Sequence, residues 1–237
     1  MYRRELDGKV YDFDHCGYVY EGSFVMFDKQ TGSEWIHVTA ECVMGPLKGK
    51  SLDLEIAQVI TWQKWEALHP DTTVFSSRRR WTERSRNRKA FSTKSSRMRL
   101  GLNVVVAHAS KLYPYESLEP QKVINDVFQK TPLAAVFVPQ ADCAVAWVRN
   151  VDDRTLTFEP ITREGELHRL KDKETGSLWG PLTGECVEGT LMGKQLEPLV
   201  AIAIFVRRYR GFYPDGEVFG TKPSEKPTRA QTRKAQP

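Results

Sequence analysis

Cysteine is scarce in this chain. Four of its 237 residues are cysteine, Cys16, Cys42, Cys143 and Cys186, and none forms a Cys-x-x-Cys pair or stands at the Cys/His spacings that build structural zinc sites. A structural zinc is not expected. Long apolar runs are also missing: LVAIAIFV at 199–206 falls far short of the ~20 residues that cross a bilayer as a helix. The start, MYRRELDGKVYDF, has no apolar stretch behind its two arginines and does not read as a secretory signal. A Gly-rich phosphate loop is absent, because the glycines of GPLKGKS at 45–51 stand one residue too close for Gly-x-x-x-x-Gly-Lys-Ser/Thr.

What is present is a duplication. Residues 28–75 recur without a gap 144 positions later as 172–219, with 21 of 48 aligned pairs identical. Asp28, Gly32, Trp35, Cys42 and Asp71 are matched by Asp172, Gly176, Trp179, Cys186 and Asp215, and these ten positions are read as structural residues of the repeat. Cys42 and Cys186 permit a bridge only if they lie beside an axis relating the two units. Otherwise each packs as a small hydrophobe. The second unit also carries material from about residue 101 whose counterpart would fall before Met1, so the first lobe reads as truncated and the native protein is expected to be longer. A sheet deprived of those strands would expose backbone and apolar surface, which a partner or the second lobe must cover.

Ordinary proportions of apolar (40%) and charged (27%) residues indicate a globular protein. The net charge of +5 is unevenly spread. Between Arg78 and Arg99 ten basic residues face the single Glu83, and the tail 222–237 carries five against Glu225, which leaves −8 on the rest of the chain. The expected organisation is a truncated first repeat lobe (1–77), a basic linker (78–100), a complete second lobe (101–220) and a disordered basic tail (221–237).

Period-two patterns in KVYDFD, YVYEGSFVMFD and EWIHV predict strands, with DKQTGS as a hairpin turn. Thr61 is expected to cap a short helix through WQKWEAL that Pro70 closes, and TTVFS to return as a strand. In the second lobe LNVVVAHASKLYPY predicts a strand hairpin, EPQKVINDVFQK a short helix opened by Pro120, and PLAAVFVPQ and CAVAWVRN buried strands. The fold class is mainly β (α+β): two related lobes, each a sheet or barrel-like unit with one or two short helices.

The repeated block, together with YRRELDGKVYDF, KLYPYESLEPQKVINDVF and VRNVDDRTLTFE in fixed order, resembles the bacterial family known as domain of unknown function 3179. The resemblance covers most of residues 3–220. It implies an extracytoplasmic place of action if a signal precedes this chain, and it implies no assigned activity. The family's Cys-Pro-x-Cys-Gly segment would precede Met1 here, and the corresponding second-unit stretch from Val138 to Ala144 lacks both of that motif's cysteines. Metal or redox chemistry resting on that motif does not transfer to this chain.

The twin Asp-x-x-Thr-Gly-Ser segments invite comparison with two-lobed aspartic proteases, whose paired carboxylates share a proton. There the aspartate directly precedes Thr-Gly, whereas here Gln30 and Glu174 hold that place. A turn aspartate bonding nearby amides is the plainer expectation. His37, His69, His108 and His168 have no counterparts in the other copy, and adjacent His15 and Cys16 point to opposite faces of a strand. Trp62 and Trp65 read as core anchors at helical spacing, and Trp35 and Trp179 as covers of the repeated hairpin. Direct binding is best offered by Arg78, Arg79, Arg80, Arg84, Arg86, Arg88, Lys89, Lys94, Arg97 and Arg99. Arginine forks match phosphate oxygens, and Trp81 and Phe91 lie among them. The alternative is a solvated linker that docks on the acidic lobes.

The sequence supports a non-enzymatic binding or structural module of the cell envelope, with a ligand in the cleft between lobes. Two alternatives stand beside it: a fragment of a metal or redox protein whose reactive cysteines lie upstream of Met1, and a polyanion or nucleic-acid binder acting through the linker. No cofactor is predicted.

Overall fold

Each copy of the repeat folds into the same four-stranded antiparallel sheet, preceded by a two-stranded ribbon. The computed structural model describes residues 1–74, 99–162 and 168–221. In the first repeat, β1 (Glu5–Leu6) and β2 (Lys9–Val10) form the ribbon. The sheet β3 (Phe13–Tyr20), β4 (Ser23–Asp28), β5 (Glu34–Ile36), β6 (Cys42–Met44) follows in sequential order, then helix α1 (Trp62–Leu68). The chain next adds β7 (Leu100–Val106), β8 (Ala109–Pro114), α2 (Tyr115–Gln121), β9 (Val123–Phe128), β10 (Thr131–Val138) and β11 (Cys143–Val148). The second ribbon pairs β12 (Asn150–Val151) with β13 (Arg154–Thr155), and the second sheet is β14 (Phe158–Ile161), β15 (Arg169–Asp172), β16 (Leu178–Trp179) and β17 (Cys186–Glu188). Strand β18 (Ala201–Phe205), helix α3 (Val206–Phe212) and β19 (Glu217–Val218) complete a sheet of order β18-β7-β8-β19. The protein is mainly β, and among the described residues no sheet closes into a barrel.

Local sequence accounts for much of this. Asp7-Gly8 and Glu21-Gly22 both take positive φ, as the tight two-residue turns of β1–β2 and β3–β4 require. The irregularity between Glu34 and Trp35 in the β5–β6 pairing recurs between Leu178 and Trp179. Strand β10 is buried on both faces: Ala134, Val136 and Val138 join one core with Trp147, Trp179 and Leu196, while Leu133, Ala135 and Phe137 join another with Leu102, Tyr113 and Leu118. That explains a continuous apolar run instead of an alternation. Buried Arg149 ties these layers by donating to the carbonyls of Leu133 (3.1 Å), Leu156 (2.6 Å) and Asp126 (3.3 Å).

The repeats interlock reciprocally. Ile60 and Leu68 of the first repeat pack on the core that contains Leu182, and Gln58 donates to the Leu182 carbonyl at 2.8 Å. In return Phe212 and Tyr213 pack with Val38, the residue aligned with Leu182. An ion pair between Arg208 and Glu21 (3.1 Å) lies at the same crossing. Each repeat's helix thus completes the other repeat.

Several local expectations are corrected. Thr61 precedes α1 in extended geometry, but its side chain makes no capping hydrogen bond. Pro120 lies inside α2 near its end, not at its start, and VINDVF is strand β9, pairing along its length with β10. Residues 72–74 form no strand: the aligned second-repeat segment pairs with β8, and among the described residues no counterpart of β8 lies beside 72–74. Trp62 and Trp65 are not core anchors, since α1 buries no residue and Trp62 is 50% exposed. All four cysteines are free thiols, Cys42, Cys143 and Cys186 being buried.

Candidate functional site

Two hairpin turns and the segment after α3 enclose a groove of about 440 Å³. Ala107 and His108 join β7 to β8, and Gln129 and Lys130 join β9 to β10. All four have positive φ (48°, 64°, 49° and 63°), the mark of type I′ turns built without glycine. Left-handed geometry at non-glycine residues costs about 1–3 kcal/mol each and concentrates at functional positions. The third wall is Phe212 to Glu217. Phe212 and Tyr213 give aromatic surface beside the buried edge of Phe128; His108, Ser110, Gln129, Asp215 and Glu217 give polar groups; no lysine or arginine is among the described lining residues.

Ser110, at the floor, is buried. Its hydroxyl donates to Asn103 Oδ1 at 2.6 Å and so accepts from the Tyr209 hydroxyl at 2.7 Å. Asn103 Nδ2 is fully buried and has no partner among the described residues. Gly216 is required beside Tyr209, because a Cβ there would overlap the phenol oxygen. The first repeat solves the same place differently: Trp65 stands for Tyr209 and donates its indole N–H to the Thr72 hydroxyl at 2.9 Å, where the second repeat has Gly216. Behind the wall, Lys111 pairs with Asp126 (2.7 Å) and Glu217 (3.4 Å) and lies over the Phe128 ring. Burial pushes the Asp126 carboxyl up, but bonds from Lys111, the Val127 amide and Tyr113 hold it below the usual range. Burial pushes the Tyr213 phenol up to about 12, so it remains a protonated donor near neutral pH.

The twin turns are a separate construction. Asp28 Oδ1 accepts from the Thr31 amide (2.6 Å) and hydroxyl (2.8 Å), and Oδ2 from the Trp35 indole (3.1 Å). Asp172 repeats this with Thr175 (2.6 and 2.8 Å) and Trp179 (2.9 Å). Burial raises the Asp28 carboxyl, and the bonds from Trp35, Thr31 and Ser33 more than offset it, leaving it lowered. Thr31 in turn meets Ser33 Oγ at 2.6 Å, and Ser33 Oγ accepts the Leu47 amide. Gly45 is needed there, since a Cβ would come within 2.7 Å of Ser33 Cα, and Gly189 stands in the same relation to Ser177. Gly32 and Gly176 supply positive φ within the turns. Cys42 and Cys186 sit under the respective turns with thiols raised by burial.

The two aspartates lie in different sheets, and each finds its bonds within its own turn, so the structure does not join them into one carboxylate pair. Asp71 and Asp215 fall in the exposed turns after α1 and α3, and only Asp215 borders the groove. Arg78 to Arg97 lie outside the described residues; Arg99 is exposed and its carbonyl accepts the Val206 amide at 2.9 Å. Sequence reading missed Ser110 and Asn103, because residues 100–148 have no copy elsewhere in this chain to draw attention to them; Tyr209 stands out only as the residue aligned with Trp65. Among the described residues no three His, Cys, Asp or Glu side chains gather in a metal-binding group, and no helix is long and apolar enough to cross a membrane.

A second groove, of about 410 Å³, does bring the repeats together, with Leu68 of the first facing Arg169, Pro181, Leu182 and Glu185 of the second. It is the more apolar of the two. No curated protein and no solved structure matches the chain. The family model described as "Protein of unknown function (DUF3179)" matches residues 1–96 and again 100–234. Two tandem matches that together span nearly the whole chain, each carrying one copy of the same aspartate–tryptophan turn, place this protein in the DUF3179 family.

Proposed function

We propose that the chain is a non-enzymatic binding module of the bacterial cell envelope, which takes a small amine-bearing ligand in the groove between the two glycine-free turns and the end of α3. One observation carries the reading: aromatic walls and the exposed Asp215 carboxylate, with no lysine or arginine among the described lining residues, stand over a buried hydroxyl network. An apolar cleft with a few convergent polar groups is the usual form of a small-ligand site. Aromatic faces and carboxylates together favour cations and oppose anionic ligands. The envelope location rests on the family resemblance alone. A catalytic carboxylate pair finds no support, because Asp28 and Asp172 are each saturated by their own turn.

Calorimetric titration with alkylamines, neutral sugars and carboxylates tests the reading. Amines should bind, and Asp215→Asn should weaken them at least about tenfold, equivalent to about 1.4 kcal/mol. Asp215 is exposed, so the substitution leaves the fold in place. Failure of every amine to bind, or binding indifferent to Asp215→Asn, would reject it. Intact mass of the protein in cytoplasmic and envelope fractions tests the location.

A further inference from the structure

The second groove differs in chemistry from the first. Its floor is Gly180, and the residues that flank Gly180 across the sheet carry opposite charges. On one side the Gly180 amide donates to the Glu185 carbonyl at 2.8 Å. On the other, β15 pairs with β16 in the register Leu170↔Trp179, which sets Arg169 beside Gly180. Side chains alternate along a strand: Leu170, Trp179 and Cys186 turn into the core, so Arg169, Gly180 and Glu185 turn together to the opposite face, and all three line the groove. With neighbouring strands about 4.8 Å apart, the guanidinium and the carboxylate rise from backbones about 10 Å apart, with a bare floor between them.

The first repeat shows that this floor is no requirement of the fold. At the aligned positions Val25 pairs with Ile36, whose amide donates to the Glu41 carbonyl at 2.9 Å, and Val25 and Ile36 are only 2% and 7% exposed. In the second repeat a cation replaces Val25 and glycine replaces Ile36, while Leu68 lines the groove where the alignment offers the larger Phe212 to the first repeat. A face sealed in one copy is thus a groove of about 410 Å³ in the other, a volume within the range of small-ligand sites. Its remaining walls are mostly apolar, Pro181, Leu182 and Val187 facing Leu68. Arg169 has a further interaction of its own, and a guanidinium with five N–H donors can hold a second acceptor beside it.

We propose that this groove binds a free α-amino acid with an apolar side chain, its backbone laid over Gly180. Arg169 receives the carboxylate through its planar fork, Glu185 accepts from the ammonium, and the side chain enters among Leu68, Leu182 and Val187. An aliphatic acid or a simple amine leaves one of the two groove charges unmatched, and a sugar leaves the apolar wall unused. The site is separate from the amine groove and does not depend on it.

The test is calorimetric titration of the full chain carrying Asp215→Asn, which disables the amine groove. Leucine and phenylalanine should bind, and glycine, N-acetylleucine and leucinamide should each bind at least about tenfold more weakly than leucine, because each lacks one of the three matched features. Arg169→Gln should remove the discrimination against leucinamide, and Glu185→Gln that against N-acetylleucine. Gly180→Ile, which installs the first repeat's residue, should fill the floor and abolish binding. Circular dichroism establishes that the variants remain folded. No binding of either apolar amino acid, leucine bound no more tightly than glycine, or leucine binding unmoved by Gly180→Ile overturns the proposal. The amine groove is judged separately, by alkylamines on the wild-type chain.

Discussion

Trp179 donates its indole N–H to Asp172 Oδ2 at 2.9 Å, both side chains being sealed from solvent. The carboxylate is what organises the turn, since it also receives the Thr175 amide and hydroxyl. Trp179→Phe keeps most of the ring volume but withdraws one donor from a buried carboxylate, and should destabilise by about 1–3 kcal/mol. Asp172→Ala strands three donors and should cost more. Urea unfolding of both variants measures this, and a loss below about 0.5 kcal/mol for Asp172→Ala would show the turn to be held otherwise. The acid dependence follows from Asp28, whose folded carboxyl is lowered. Its contribution is complete above the unfolded aspartate value of about 4 and is lost as pH falls through the folded value.

His168 is 1% exposed, and neither ring nitrogen has a partner among the described residues. Burial first, and Lys122 second, lower it from 6.5 to about 4. A histidine buried neutral contributes fully above the unfolded value, and the contribution is lost as pH falls from there to the folded value. Stability at pH 5 should therefore be about 2 kcal/mol below that at pH 7 from this group alone. The first repeat has Phe24 at the aligned position. His168→Phe should raise stability at neutral pH and flatten the difference between pH 7 and pH 5. A variant that keeps the wild-type pH dependence would remove His168 as its source.

Duplication made the hairpin sheets legible, because Asp28, Gly32, Trp35 and Cys42 and their partners are constraints that both copies satisfy by the same bonds. The groove was not legible. Ser110, Asn103 and Phe128 come from strands with no second copy, and their meeting with Tyr209 is a tertiary fact that no local period encodes. Pro120 misled for a related reason: proline is commonest at a helix start, yet α2 tolerates it where the helix is already ending. Trp62 and Trp65 read as core by spacing, but among the described residues no strand covers that face in the first repeat, so Trp65 is only partly buried where the aligned Tyr209 is sealed.

His108 occupies the second position of a two-residue turn with φ 64°, where glycine sits at the corresponding positions of the Asp7-Gly8 and Glu21-Gly22 turns. Relief of left-handed strain should make His108→Gly neutral to about 1 kcal/mol more stable. The same change removes a groove-lining side chain, so amine affinity should fall while the melting temperature holds or rises. Opposite movement of the two measurements is what a strained binding turn predicts. A parallel loss of both would make His108 an ordinary structural residue.

The basic segment 78–99 carries +9, and the reading that it binds a polyanion has its own test. Counterion release then requires the logarithm of affinity for single-stranded nucleic acid to fall linearly with the logarithm of salt, with a slope near −0.7 per phosphate neutralised. Fluorescence anisotropy with a labelled oligonucleotide at several salt concentrations measures that slope. Replacing Arg78, Arg79 and Arg80 together by Gln should lower its magnitude by about 2, and Trp81→Ala should weaken binding with the slope unchanged, because stacking releases no counterions. A linker that instead docks on the acidic remainder of the chain predicts no measurable nucleic-acid affinity at low salt. It also predicts a loss of stability on charge removal, so the anisotropy and melting measurements on the same triple variant separate the two.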